Sequence, residues 1–290
     1  MADPRLVAPE AFAALDRLEP AARRAVDPGL ADRLITRVRA TLGVAGYPAL
    51  ADPFGADRER VALDVAEQFV VDVASVSEEQ RVALGRGFGA DTFAVVQVIW
   101  VADATTRIAA ACAQLFPADV APDASPPVAA PDDRDGDLWS LLDSFLAAVA
   151  RLDQLDPLTT ELVRLRGARA HNCRLCRSRR YVRALDAGAD EATFDQIDDY
   201  EHSDMPLRHR VALRLTDAMV WSPSTWPPAL APQVRATFLP AEAVELVLDV
   251  ARNSANKIAV ALGADQAQVP DGELELYDVG ADGQLIVGPP

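Results

Sequence analysis

The chain has 290 residues, half of them apolar and a quarter charged, an ordinary globular composition with enough length for two compact modules. Its 28 basic and 44 acidic residues give a net charge of −16, which repels phosphate backbones and anionic lipid head groups and argues against nucleic acid or a membrane as a partner. No stretch approaches the roughly 18 uninterrupted apolar residues of a membrane span, and Met1-Ala-Asp-Pro-Arg-Leu lacks the basic-then-apolar layout of a secretory leader, so a cytoplasmic location is expected. Lys257 is the lone lysine among many arginines and alanine is abundant, a bias expected of GC-rich bacterial coding. Three cysteines are too few for a disulfide framework: two form Cys173-Arg-Leu-Cys176, and Cys112 stands alone in an apolar run that reads as core.

The chain repeats itself. Residues 58–112 lie on 208–262 at a constant offset of 150, with Arg58, Arg60, Val61, Ala62, Leu63, Val70, Phe88, Ile108, Ala109 and Ala111 recurring as Arg208, Arg210, Val211, Ala212, Leu213, Val220, Phe238, Ile258, Ala259 and Ala261. Arg107 and Lys257 keep their charge across the same offset. The pattern predicts a duplicated module, with a first copy over 1–116 that has no cysteine pair. A Pro- and Asp-rich linker follows near 117–136, then a second copy over 137–264 and a tail over 265–290. The first copy is expected to pack on the second through helical faces and to act as a scaffold for a site in the second.

Almost every periodic segment is helical, so the fold class is all-α. Leu141, Leu142, Phe145, Leu146, Val149 and Leu152 step at helical spacing, and residues 240–263 predict one helix starting on Pro240 and stopping at Gly263. Asn253 and Asn256 fall in that helix as buried groups binding backbone, with lining a pocket near the cysteines as the second reading. Between these stretches, the spacing predicts one helix up to about Ala170 and another from Cys173 to Ala187, capped by Asn172. In the tail, Glu273-Leu-Glu-Leu-Tyr-Asp-Val alternates and Asp282-Gly283 offers a tight turn before Leu285-Ile-Val, so a short hairpin is expected.

The cysteine segment carries the chemistry. A thiol in the first turn of a helix faces unpaired amides and the macrodipole, which favour the thiolate, and Arg174, Arg177, Arg179 and Arg180 add to this. A second thiol three residues away can resolve a sulfenic acid as a local disulfide. Eight arginines lie between Arg164 and Arg183, and the seven acids between Asp190 and Asp204 are expected to neutralise most of them. His171, His202 and His209 could join the cysteines around zinc, but no second Cys-x-x-Cys or paired-histidine motif supports that reading. His202 and His209 are read instead as ordinary surface or interface residues.

Glu161, eleven intervening residues and Cys173-x-x-Cys176, in the context Glu-Leu-Val-Arg-Leu-Arg-x-Ala-Arg, resemble the signature of the carboxymuconolactone decarboxylase and alkylhydroperoxidase D-like superfamily. The stretch from Ala243 to Ile258 is similar to that family's closing helix. The resemblance implies an all-helical bundle that forms homo-oligomers and, in redox members, a cysteine pair acting as a thiol peroxidase with a carboxylate and a histidine as proton relay. It assigns Glu161 to the relay carboxylate and Cys173 and Cys176 to the redox pair, with Cys176 attacking, whereas helix position alone favours Cys173 as the attacking thiol. The relay-histidine position holds Arg180, and Leu175 fills the place of a further histidine. Arginine cannot serve as a base, so Arg180 is expected to stabilise a thiolate or bind an anion, and His171 to be a helix-end residue or a supporting base. The expected activity is reduction of a hydroperoxide through a dithiol–disulfide cycle, with a protein or small-thiol reductant and no metal or organic cofactor. The alternative is a non-redox member of the same fold, a lactone decarboxylase-like small-molecule enzyme or a binding module, whose cysteine pair is residual.

Overall fold

Proline and aspartate set many of the helix starts. Asp27 accepts from the Leu30 amide ahead of Pro28, Asp156 accepts from the Thr159 amide ahead of Pro157, and Asp137 accepts from the Ser140 amide. Each cap satisfies an amide that the first helical turn leaves unpaired. The computed structural model describes residues 3–47, 57–117 and 136–288, so the expected linker lies, but for its two end residues, outside the described residues.

The first half forms helices α1 (Pro4–Val7), α2 (Pro9–Ala25), α3 (Pro28–Thr41), α4 (Asp57–Asp72), α5 (Glu78–Phe88) and α6 (Thr92–Leu115). The second half forms α7 (Leu138–Ala150), α8 (Pro157–Ala170), α9 (Arg174–Arg177), α10 (Val182–Asp186), α11 (Glu191–Asp195), α12 (Leu207–Trp221), α13 (Leu230–Thr237), α14 (Pro240–Asn253) and α15 (Asn256–Ala261). Strands β1 (Arg179–Tyr181), β2 (Glu275–Val279) and β3 (Leu285–Val287) complete the chain as one small sheet, so the molecule is mostly helical.

Helix α6 is apolar on nearly every side and buried along most of its length, the mark of a central helix. It packs against α2 and α3 on one hand and α13, α14 and α15 on the other. By length and composition alone, Glu78–Leu115 would suffice to cross a membrane, and 67% of its apolar window is buried inside the molecule. One continuous core runs through both halves, from Leu18, Leu34 and Phe69 through Trp100 to Phe145 and Leu246. A smaller core of Leu162, Leu165, Tyr181, Phe194, Ile197 and Tyr277 lies beneath the cysteine segment.

At the junction of the halves, residues matched by the 150-residue offset converge. The carboxylate of Asp103 is completely buried and accepts from Arg107 Nε and Lys257 Nζ, each at 2.7 Å. Arg107 also donates to the carbonyls of Val70 and Val220, which are themselves offset partners, at 2.9 and 2.8 Å. Lys257 lies 4.4 Å from the centre of the Phe69 ring, a cation–π contact. Burial pushes Lys257 down to about 8 even though Asp103 opposes the shift.

Two predicted helices are broken. The stretch expected to run from Cys173 to Ala187 holds only the single turn α9, then strand β1, then α10. Asn172 adopts a left-handed backbone at φ 50°, and Cys173, not Asn172, occupies the cap position. The tail hairpin forms as expected, β2 antiparallel to β3, and its free edge recruits Arg179–Tyr181 in parallel register, Arg179 opposite Glu275. That pairing, reinforced by an Arg179–Glu275 ion pair of 2.6 Å, overrides local helical spacing. The second break separates α14 from α15 between Asn253 and Asn256, residues whose side chains compete with helical bonding.

Candidate functional site

The two sulfurs are 2.8 Å apart, with the Cys173 thiol donating to Cys176 and the Cys176 amide donating to Cys173 Sγ at 3.3 Å. A disulfide between them requires a further approach of less than about 1 Å. Asp265 fixes this turn: its carboxylate accepts from the Arg174 amide at 2.9 Å and its carbonyl from the Leu175 amide at 2.8 Å. Cys173 is buried, whereas Cys176 opens on a cavity of about 430 Å³.

The pair is electrostatically split. The hydrogen bond from Cys173 lowers the pKa of the Cys176 thiol below the ordinary range; burial opposes this, while Arg164, the Asn256 amide and Arg179 reinforce it. The Cys173 thiol is pushed well up, first by donating to Cys176 and then by burial. Cys112 is pushed up to about 12 by burial, which disfavours its thiolate.

Glu161 is completely buried and fully committed. Its oxygens accept from Arg164 Nε at 2.6 Å, Arg164 Nη2 at 2.7 Å, Tyr277 Oη at 2.9 Å and the Tyr181 amide at 3.2 Å. Among the described residues it makes no hydrogen bond to either sulfur. Its link to the thiols runs through Arg164, whose Nη1 donates to the Cys176 carbonyl at 2.7 Å and whose Nη2 donates to the Arg179 carbonyl at 2.8 Å.

Arg180 is turned away from the cysteines. It forms a two-pronged ion pair with Glu191, both bonds 2.7 Å, and lies over the Phe194 ring. Strand pairing is the cause, because it sets the side chains of Arg179 and Arg180 on opposite faces of β1. Arg179 lines the thiol cavity in its place.

His171 is buried and pushed down to about 3 by desolvation and then by Lys257, so it is neutral near pH 7. Its Nδ1 pairs with Asn256 Oδ1 at 2.9 Å, and the Asn256 amide reaches Cys176. His171 therefore touches the thiol only through Asn256. The other histidines are remote from it: His202 pairs with Asp199, and His209 with Thr159.

The arginine run is paired within the fold, but mostly by acids outside 190–204. Arg166 meets Asp217, Arg174 meets Asp265, Arg179 meets Glu275 and Arg183 meets Asp278, whereas Asp198 and Glu191 take Arg169 and Arg180.

Arg164, Tyr277 and Arg252 were not among the residues expected at the site, whereas Asn253 and Asn256 line the cavity as in their second reading. A spacing of three between Glu161 and Arg164 on one helix was a legible signal for the ion pair. Tyr277 arrives from the tail, stacked on Tyr181 with 5.2 Å between ring centres, and has no local motif.

A second cavity of about 520 Å³ shares Arg252 and Tyr277 with the first and is lined by Glu245 and Asp249, one turn apart on α14. Burial, and for Glu245 also the neighbouring Asp249, raises Glu245 to about 8 and Asp249 to about 6. A carboxyl raised on folding contributes stability that is full below its unfolded value and is lost as pH rises through the folded one. Thermal stability is therefore expected to fall between about pH 5 and pH 8, and Glu245→Gln to flatten that fall by roughly 5 °C in melting scans across the window. An equal fall in both proteins would contradict the assignment.

The chain is 42% identical over 234 residues to the uncharacterized protein MT2376 of Mycobacterium tuberculosis (strain CDC 1551 / Oshkosh), covering 79% of this chain and 81% of that one. The match to the uncharacterized protein Rv2313c of strain ATCC 25618 / H37Rv has the same extent. The chain belongs to the family of these two proteins. No family model matches it, and no solved structure matches it.

Proposed function

We propose that the protein is a thiol-dependent peroxidase of the alkylhydroperoxidase D-like kind, cycling Cys176 and Cys173 between dithiol and disulfide. One observation carries this reading: a buried thiol donates to a second thiol that faces a cavity walled by Arg164, Arg179 and Arg252. A thiolate stabilised in this way is the form that attacks peroxides.

The Cys176 thiolate attacks the terminal oxygen of a hydroperoxide, and the O–O bond breaks. That oxygen stays on sulfur as a sulfenic acid, while the alkoxide leaves and takes a proton from water. The Cys173 thiol then attacks the sulfenic sulfur, forming the disulfide and expelling the oxygen as water with the Cys173 proton. A protein or small dithiol returns two electrons and two protons and is itself oxidised to a disulfide. The relay of the resemblance has no counterpart in this scheme. Arg164, locked by Glu161, supplies the positive charge, and Asn256, oriented by neutral His171, supplies a hydrogen bond to sulfur. The reading extends to a cytoplasmic enzyme that assembles as a homo-oligomer.

The order of attack is tested by trapping sulfenic acid after one equivalent of peroxide on Cys173→Ser and Cys176→Ser, read by mass spectrometry. The adduct is expected on Cys176 of the Cys173→Ser protein and absent from the other variant. The reverse pattern would overturn the order, and no adduct in either would favour the non-redox alternative.

A further inference from the structure

The thiol cavity is lined by both apolar and charged side chains. Trp139, Leu146, Leu175 and Leu285 supply apolar surface, and Arg164, Arg179 and Arg252 supply positive charge. The three guanidinium groups are not equivalent. Arg164 is bound to Glu161, and Arg179 to Glu275 at 2.6 Å. The Arg252 guanidinium makes no ion pair and no hydrogen bond among the described residues, and acts only at longer range on Asp249, one turn back on α14. Its neighbour Asn253 has a buried amide nitrogen that also lacks a partner. Both sit at the break between α14 and α15, where the last turn of α14 ends against the cavity. Among the described residues, the one carboxylate in the cavity wall, Asp143, is bonded to Gln284 at 3.0 Å.

A buried amide donor without an acceptor is costly, and an adjacent unpaired guanidinium presents a planar fork suited to a carboxylate. The volume of about 430 Å³ accommodates a small organic molecule. We propose that the cavity selects molecules with an apolar body and one terminal carboxylate, the carboxylate held by Arg252 and the Asn253 amide and the body lying along Trp139, Leu146 and Leu175. The inference rests on the reading of Cys176 as the attacking thiol and deepens it: the substrate class becomes carboxylate-bearing organic hydroperoxides, with Arg252 and Asn253 as specificity residues.

The test separates this inference from the peroxidase reading by using ligands that carry no peroxide. Octanoate and 1-octanol, which share a chain length and differ in the head group, are compared as protectants of Cys176 against iodoacetamide, with Cys112 as reference in the same mass spectrum. Octanoate is expected to half-protect Cys176 at a concentration at least about tenfold lower than 1-octanol does, the scale of a charge-assisted hydrogen bond. Arg252→Gln is expected to abolish that advantage and Arg252→Lys to retain part of it. Asn253→Leu, which removes only the amide, is expected to reduce it. Equal protection by the two ligands, no protection by either, or an advantage that survives Arg252→Gln would overturn the inference. In turnover, the preference for a fatty-acid hydroperoxide over neutral cumene hydroperoxide is expected to fall about tenfold in kcat/KM in Arg252→Gln. If neither hydroperoxide is turned over while octanoate still protects through Arg252, the peroxidase reading fails and the carboxylate site stands.

Discussion

Asp103→Ala is expected to lower stability by about 3–5 kcal/mol, the usual consequence of leaving a buried charge without its partner, and to lower the melting temperature by roughly 10 °C. The wild-type carboxylate is completely buried and serves two cations, Arg107 from the same helix and Lys257 from α15 in the other half of the chain. Removing it leaves Arg107 held by backbone carbonyls and Lys257 facing the Phe69 ring. Burial already pushes Lys257 down to about 8 with Asp103 opposing the shift, so removing Asp103 is expected to push it down further. The deficit of the variant is therefore expected to shrink as pH rises toward 9, because the uncompensated cation can lose its proton. Melting scans of both proteins between pH 6 and pH 9 measure this. A deficit below about 1 kcal/mol, or one independent of pH, would mean that the buried charges are not what joins the halves.

Arg164→Met is expected to act on both stability and the thiol. Glu161 would be left completely buried with only the Tyr277 hydroxyl and the Tyr181 amide as donors, at a cost of about 3–5 kcal/mol. The positive charge that helps hold Cys176 as a thiolate would also be lost, so the thiolate absorbance near 240 nm is expected to appear at higher pH. The two effects can be separated. Adding Glu161→Gln neutralises the orphaned carboxylate and is expected to restore most of the stability, since replacing both members of a buried pair is far milder than replacing one. The double variant is expected to keep the raised thiol titration. If the thiol returned to its wild-type titration in the double variant, Glu161 would be acting on the sulfur directly, and Arg164 would be only its structural partner.

The helical class and the cysteine turn were legible because their signals are local. Proline starts, apolar spacing and a Cys-x-x-Cys at a helix beginning need no knowledge of what lies across the fold. The tail hairpin was legible for the same reason, from alternation and Asp282-Gly283. Its partner strand was not, because Arg179–Tyr181 is extended only through pairing with Glu275–Tyr277, about a hundred residues further along the chain. That hidden pairing also misassigned the neighbouring arginines: Arg180 reads as the residue near the thiols, whereas the strand turns it toward Glu191 and gives the cavity to Arg179. Glu161 was singled out by its spacing to the cysteines, but the structure commits it to Arg164, Tyr181 and Tyr277, a set assembled from three separate parts of the chain. Asn253 and Asn256 read as mid-helix residues because nothing nearby announces the break that turns them into the cavity wall.

The dithiol cycle is tested most directly by thiol stoichiometry. The reduced protein carries three thiols. One equivalent of cumene hydroperoxide is expected to remove two of them, to leave Cys112 free, and to release one equivalent of the corresponding alcohol, and a dithiol reductant is expected to restore all three. Retention of all three thiols, or loss of Cys173 and Cys176 no faster than of Cys112, would contradict it.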